Sequence, residues 1–317
     1  MAVDKDFFDH TLDGKLSAQQ IKSGLTDLAD RGETAEEITA AAKAMRARMV
    51  TASAPSGAID VCGTGGDGQH SLNVSTAVAL VVAACGVPMA KHGNRAASSK
   101  AGAADTLEAL GLDLAKATEG AERTLHDIGI GFFFAQNHHP ALGPIAPIRK
   151  ELGRRTIFNL LGPLCNPCGV KRQLIGVASP DLVERYAQAM LKLGYEKALV
   201  VAGEEGLDEI SIAGPTKAAW ISGGAVKLTQ INPQDAGIET SPLSAIRGGD
   251  AEYNAAALRG LLAGDKNAYR DAVVLNAAAA LMVAGEAEDL GTGAEEAVEA
   301  IDKGLAKTLL DCWIANQ

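Results

Sequence analysis

From residue 59 onward, apolar runs of strand length alternate with stretches of helical length, and this alternation restricts the chain to a layered α/β fold. The strand-type runs are 59–62, 88–91, 130–134, 174–178, 198–202 and 209–212, with helical composition at 73–85, 98–110 and 121–128 between the early ones. Strands joined through helices form a largely parallel sheet, and such a sheet must be covered on both faces. A further stretch, 272–284, is alanine-rich and nearly uncharged, and reads as a core helix. The first 50 residues read differently. Ser17 with Gln20 and Thr34 with Glu37 fit the capping-box pattern, so an all-helical unit precedes the α/β part. Residues 51–57 read as the linker between them.

Composition narrows the functional classes. With 317 residues, 47% hydrophobic and 21% charged, the chain suits a folded protein of enzyme size, built as one large domain or two ordinary ones. A net charge of -10 argues against a broad nucleic-acid surface, so any anionic ligand has to be held locally. The apolar stretch 74–90 is broken by Ser75, Thr76, Gly86 and Pro88 and falls short of the roughly 20 residues of a membrane span. It reads as a buried helix leading into a strand. Residues 1–10 carry three acids and no signal-like apolar core, so the chain reads as cytoplasmic, with no membrane partner. Its five cysteines then suit reduced thiols; Cys165 and Cys168 form a lone C-x-x-C with no second pair or nearby histidine to complete a zinc site.

Three successive segments carry anion chemistry. Asp60-Val-Cys-Gly-Thr-Gly-Gly-Asp67 is a short strand running into a loop with Gly63, Gly65, Gly66 and Gly68, where backbone amides can turn toward a pyrophosphate. The spacing of Gly63, Gly65 and Gly68 also matches a dinucleotide fingerprint, but residues 69–72 intervene before the helix and no acid occurs at 83–90 to hold a ribose. Asn73-Val-Ser-Thr76 follows, with Asn73 as a helix cap and Ser75 and Thr76 in the first turn, a placement that favours an anion. The third segment, 91–100, contains Lys91, Arg95 and Lys100 and no acid, with Ser98 and Ser99 able to open a helix. Farther on, Arg149 can face an organic acid, and the adjacent acids Asp208 and Glu209 suit magnesium, which takes few carboxylates together with waters and phosphate oxygens.

Together these segments resemble the anthranilate phosphoribosyltransferase family. The resemblance lies in Gly63-Thr-Gly-Gly-Asp67, Asn73-Val-Ser-Thr76, Lys91-His-Gly-Asn-Arg95, His138-His-Pro140, the run from Arg155 to Pro163, and Gly206-Leu-Asp-Glu-Ile-Ser211, in the family's order from about residue 15 to about 305. It implies transfer of the phosphoribosyl group of phosphoribosyl pyrophosphate (PRPP) to the amino nitrogen of anthranilate, with release of pyrophosphate, in tryptophan biosynthesis. By this similarity Gly63, Gly66, Asp67, Ser71, Asn73, Val74, Ser75, Thr76, Lys91 and Ser99 hold PRPP. Gly63, Asn94 and Arg149 face anthranilate, and Ser75, Asp208 and Glu209 organise Mg2+. The implied fold is a small helical domain, residues 1–57 joined by part of 140–170, hinged to an α/β domain at 58–317 with a mainly parallel sheet, in a homodimer.

No general base is assigned; His92, His138 and His139 are read as positioning groups. The chain departs from the common family pattern at Leu72, Ala101, Ala103, Cys165 and Cys168, and a missing hydroxyl at Ala103 removes one expected PRPP contact. Pyrimidine nucleoside phosphorylases share the implied fold, but their Lys-His-Ser-Thr-Gly-Gly loop is missing here. A nucleic-acid-binding relative of the family is disfavoured by the intact Asp208 and Glu209, by Arg149 and by the acidic balance.

Overall fold

The computed structural model describes residues 6–96 and 100–317. Three helices open the chain: α1 (Phe7–Leu12), α2 (Ala18–Arg31) and α3 (Ala35–Arg46). Both capping boxes form, with Ser17 and Thr34 accepting from the amides of Gln20 and Glu37 and the Gln20 and Glu37 side chains bonding back. The apolar faces of these helices cannot be buried by three short helices alone. Leu25, Leu28 and Ile38 therefore share a core with Ile145, Ile157 and Phe158 of a later segment and with Tyr186, Val200 and Ala202 on one face of the sheet.

The sheet has seven strands, β1 (Ile59–Gly63), β2 (Met89–Gly93), β3 (Ile130–Phe134), β4 (Arg172–Gly176), β5 (Lys197–Gly203), β6 (Thr216–Ser222) and β7 (Ala225–Ile231), in the order β3-β2-β1-β4-β5-β6-β7. The first five strands pair in parallel and the last two add antiparallel. Side chains alternate between the faces. Leu199 and Val201 enter one core, Ala198 and Val200 the other.

The connections cover both faces. α4 (Val74–Ala84) links β1 to β2, and α5 (Ala103–Ala109), α6 (Leu114–Glu119) and α7 (Ala121–Ile128) lead to β3. α8 (Ala135–His138) and α9 (Ala146–Leu152) precede β4, and α10 (Leu182–Lys192) joins β4 to β5. After β7 come α11 (Ala251–Leu262), α12 (Ala268–Ala284), α13 (Leu290–Asp302) and α14 (Leu305–Asn316). α4 and α12 are buried almost all round and form the centre of the larger core, as the apolar stretches 74–90 and 272–284 predict. No helix among the described residues is long and apolar enough to cross a membrane.

Two expectations are corrected, and one hairpin is new. Residues 209–212 are not a strand, because side chains satisfy their backbone: Asn276 accepts from the Ile210 amide (2.8 Å) and donates to its carbonyl (2.9 Å), while Thr216 Oγ1 accepts from the Ser211 amide (2.9 Å). Of the helix expected over 98–110, residues 98 and 99 lie outside the described residues, 100–102 are not helical, and the helix runs over Ala103–Ala109, where Asp105 turns back to accept from the Gly102 amide. The hairpin of β6 and β7 is absent from the sequence reading, although Gly223 and Gly224 between them adopt φ +58 and +77, the conformation a two-residue turn requires.

Candidate active site

Connections leave β1 toward β2 in one direction and β4 toward β5 in the other, so a crevice opens where the two sets part, at the C-terminal ends of β1 and β4. Gly63 and Gly176 end these strands and are register partners. Both are glycine for a steric reason. The chain at Asp208 lies directly over the strand ends, so a β-carbon on Gly63 would stand 2.2 Å from Asp208 Oδ2, and one on Gly176 only 1.5 Å from the Asp208 carbonyl oxygen.

The loop after β1 turns through Gly65 and Gly66, both at φ +68. Three ties hold it: the Thr64 amide donates to the Gly176 carbonyl (2.9 Å), the Gly65 amide to Asp208 Oδ2 (2.7 Å), and Arg155 Nη1 to the carbonyls of Gly65 (2.8 Å) and Gly66 (2.7 Å). Among the described residues no group takes up the amides of Gly66, Asp67 or Gly68. The Thr64 hydroxyl and Asp67 Oδ2 are buried without a partner. Such groups cost free energy unless water or a ligand completes them.

The start of α4 lies beside this loop. The Ser75 amide donates to Glu209 Oε1 (3.2 Å), and buried Lys91 donates to the Val61 carbonyl (2.6 Å) and Ser75 Oγ (3.4 Å). The Thr76 hydroxyl is buried and unpartnered. Val74 is buried, its amide bonded to the Leu72 carbonyl (2.7 Å), and Ser71 bridges to Arg247 on the chain before α11. Asn73 makes no cap bond, contrary to the sequence reading. Its Oδ1 accepts instead from Thr106 (2.5 Å) and Asn254 (2.8 Å), its Nδ2 donates to the Ala101 carbonyl, and its carbonyl accepts from the Tyr269 hydroxyl (3.0 Å). Asn73 thus fastens the helix start to α5, α11 and α12, and sequence reasoning missed these partners because they lie up to 196 residues away.

Burial raises the Asp208 carboxyl well above the usual range, and the neighbouring Asp67 raises it further, against the Gly65 amide and Arg155. Burial also raises Glu209, reinforced by Asp208 and opposed by Lys91. Crowded acids with this little compensation fit a cation. Among the described residues no three metal-ligating side chains converge on one point, which suits a metal that brings waters and phosphate oxygens to a carboxylate pair.

A second group of predicted residues lies toward the helical unit. His92 Nδ1 pairs with the Gly162 carbonyl (3.1 Å) and His92 Nε2 with His139 Nε2 (3.3 Å). Burial first, then the neighbouring histidines, lower His92 to about 3 and His139 to about 4, so both are neutral near pH 7. The Arg149 guanidinium lies 5.8 Å from the Phe158 ring centre and has no acidic partner among the described residues; burial lowers its pKa. Asn94 accepts from Gln136 (3.4 Å). No direct contact joins Asn94 or Arg149 to the acid pair in this structure. Arg95, counted as part of a positive loop, is neutralised by Asp105 (2.8 Å) and Glu108 (2.5 Å). Ser99 lies outside the described residues. The thiols of Cys165 and Cys168 point to different backbone carbonyls, those of Ala42 and Ser53.

A helical unit against an α/β unit, with loop amides, a lysine and an acid pair at the switch point, defines a transferase that handles a phosphorylated sugar. Family comparison agrees: residues 5–49 match the helical bundle domain of the glycosyl transferase family, and residues 56–307 match its a/b domain. The chain is 62% identical to the anthranilate phosphoribosyltransferase of Novosphingobium aromaticivorans, over 96% of this chain and 92% of that protein, and 60% identical to that of Sphingopyxis alaskensis over the same shares. The crystal structure of anthranilate phosphoribosyltransferase from Thermus thermophilus superposes with a TM-score of 0.92 at 41% identity, covering 98% of this chain and 94% of that one. The Saccharomyces cerevisiae enzyme in complex with PRPP and Mg gives 0.88 at 31% identity, over 98% and 92%. The same yeast enzyme in complex with 4-fluoroanthranilate gives 0.86 at 29% identity, over 99% and 93%. The chain belongs to the anthranilate phosphoribosyltransferase family.

Proposed function

We propose that this chain transfers the phosphoribosyl group of PRPP to the amino nitrogen of anthranilate and releases pyrophosphate, a step of tryptophan biosynthesis. The observation that carries the reading is the meeting of free loop amides, Lys91 and the Asp208–Glu209 pair at one switch point of the sheet. The bond from ribose C1 to the pyrophosphate oxygen breaks as the bond from C1 to the anthranilate nitrogen forms, negative charge gathers on the departing pyrophosphate, and the surplus proton on the nitrogen leaves to water or to the released pyrophosphate. Fixed donors aimed at that charge lower the barrier without reorganising. The amides of Gly66 and Asp67, the Ser75 and Thr76 hydroxyls and Lys91 supply them, with Gly63 leaving room and Ser71, Asn73 and Val74 setting the loop and helix start. Asp208 and Glu209, with Ser75, hold Mg2+, which when bound offsets leaving-group charge.

Arg149, lacking an acidic partner and stacked on Phe158, receives the anthranilate carboxylate, and Asn94 helps orient the ring. His92 and His139 stay neutral and shape the acceptor side; no general base is required of them. Residues 140–165 share a core with α1 to α3 and with one face of the sheet, so Arg149 reaches the acceptor side from this segment while Asn94 reaches it from the end of β2. The family resemblance further supports a cytoplasmic homodimer, and light scattering of the purified chain tests the dimer. Purified protein given PRPP, Mg2+ and anthranilate is expected to release one pyrophosphate per anthranilate consumed. Absence of turnover across a range of both substrates overturns the reading.

A further inference from the structure

We propose that Arg155 is a positioning residue that aims the pyrophosphate-binding amides; this rests on the function proposed above. A peptide unit is planar and trans, so its carbonyl and its amide hydrogen point to opposite edges. Arg155 Nη1 donates to the carbonyls of Gly65 (2.8 Å) and Gly66 (2.7 Å). The amides opposite those carbonyls belong to Gly66 and Asp67, and these are amides that no described residue takes up. Holding the two carbonyls on one guanidinium therefore fixes the direction of two donors that face the ligand.

Glycine makes the loop soft. Gly65 and Gly66 both sit at φ +68, and nothing in their own side chains restrains them. A β-carbon on Gly66 would meet Arg155 Nη1 at 2.8 Å, so the residue type that creates the flexibility also admits the clamp. Arg155 adds positive charge beside Asp208, whose Oδ2 accepts from the Gly65 amide on the same loop. Among the described residues the guanidinium makes no ion pair within bonding distance.

The clamp is anchored outside the glycine loop. Arg155 precedes a short turn in which the Thr156 amide donates to Asn159 Oδ1 (3.0 Å), and Ile157 and Phe158 in that turn are buried with Leu25 and Ile38 of the N-terminal helices. The same core continues into Tyr186 and Val200, and the Leu160 carbonyl after the turn accepts from the Tyr186 hydroxyl (2.7 Å), so the segment that carries Arg155 is held by the helical and the α/β unit together.

The test is calorimetric titration with PRPP in Mg2+, without anthranilate, of wild type, Arg155→Lys and Arg155→Ala, with melting temperatures and steady-state constants alongside. Misplacing binding groups by about 1 Å costs up to about 100-fold, so Arg155→Ala is expected to weaken PRPP binding by about tenfold or more. Arg155→Lys is expected to recover part of the loss. The anthranilate KM at saturating PRPP and the melting temperature are expected to stay close to wild type. Arg155→Ala binding PRPP within about twofold of wild type overturns the proposal, as does a uniform loss in both KM values with a lowered melting temperature. If wild type itself fails to bind PRPP, the proposed function falls, and this inference with it.

Discussion

Gly176→Ala places a methyl group against the backbone that carries the acid pair. Gly176 ends β4 in regular register with Gly63 and Val201 and is not among the residues at positive φ, so alanine suits its backbone. The obstacle is its neighbour: the new β-carbon would lie 1.5 Å from the Asp208 carbonyl oxygen and 2.2 Å from its carbonyl carbon. Ordinary contact begins near 3.4 Å, so the Asp208 backbone must retreat by roughly 2 Å. A 1 Å misplacement of binding groups costs about 100-fold, and kcat/KM for PRPP should fall by at least that factor. Overpacking costs about 1–3 kcal/mol, a fall in Tm of several degrees for a chain of this size, so the variant should still fold at 25 °C. Gly291→Ala in the first turn of α13, where the methyl meets Asp289 only at 3.4 Å, is the control and should retain wild-type activity. Steady-state kinetics at varied PRPP with a melting curve decides the matter. A folded Gly176→Ala protein with kcat/KM for PRPP within about twofold of wild type refutes the placement of Asp208 over the strand ends.

Arg149→Ala should raise the anthranilate KM by tens of fold, as expected for a charge-assisted bond worth about 1.5–3 kcal/mol, and leave the PRPP KM unchanged; an equal rise in both KM values contradicts the assignment. Asp208→Asn combined with Glu209→Gln should raise the Mg2+ concentration for half-maximal activity by about tenfold or more, and an unchanged magnesium dependence removes the pair from the metal site. His92, lowered to about 3 by burial, is neutral when folded but protonates near 6.5 when unfolded. The unfolded chain therefore binds the extra proton below that pH, and stability falls as pH drops from about 6.5 toward 3. By pH 5 the loss is about 2 kcal/mol relative to pH 7. His92→Gln should remove that much of the pH 7 to pH 5 difference in urea unfolding; an identical difference in wild type and variant contradicts the burial.

What sequence could disclose follows the distance over which each feature is determined. The capping boxes at Ser17 and Thr34, the strand at Ile130–Phe134 and the helix at Ala121–Ile128 depend on neighbours in sequence and were all readable. The turn of the glycine loop was readable because its backbone conformation is local, with Gly65, Gly66 and Gly68 all at positive φ. Asn73 stands at the helix N-cap, as its position suggests, but its side chain makes no cap bond, since Thr106 and Asn254 claim its polar groups from afar and Tyr269 takes its carbonyl. Arg95 likewise counted as free charge until α5 brought Asp105 and Glu108 against it. Gly176 and Arg155 were invisible as site residues, because their roles depend on Asp208 and on a loop 90 positions earlier. The β6–β7 hairpin was a different kind of miss, for Gly223-Gly224 between two strand-length runs was a local signal.

The loop after β1, the start of α4 and the acid pair are proposed to form one PRPP site. A crystal structure of this chain with PRPP and Mg2+ tests it most directly. Pyrophosphate oxygens are expected within hydrogen-bonding distance of the Gly66 and Asp67 amides and the Ser75 hydroxyl, with the cation between pyrophosphate and Asp208 and Glu209. PRPP bound away from the β1–β4 switch point, or a cation that leaves both acids untouched, contradicts it.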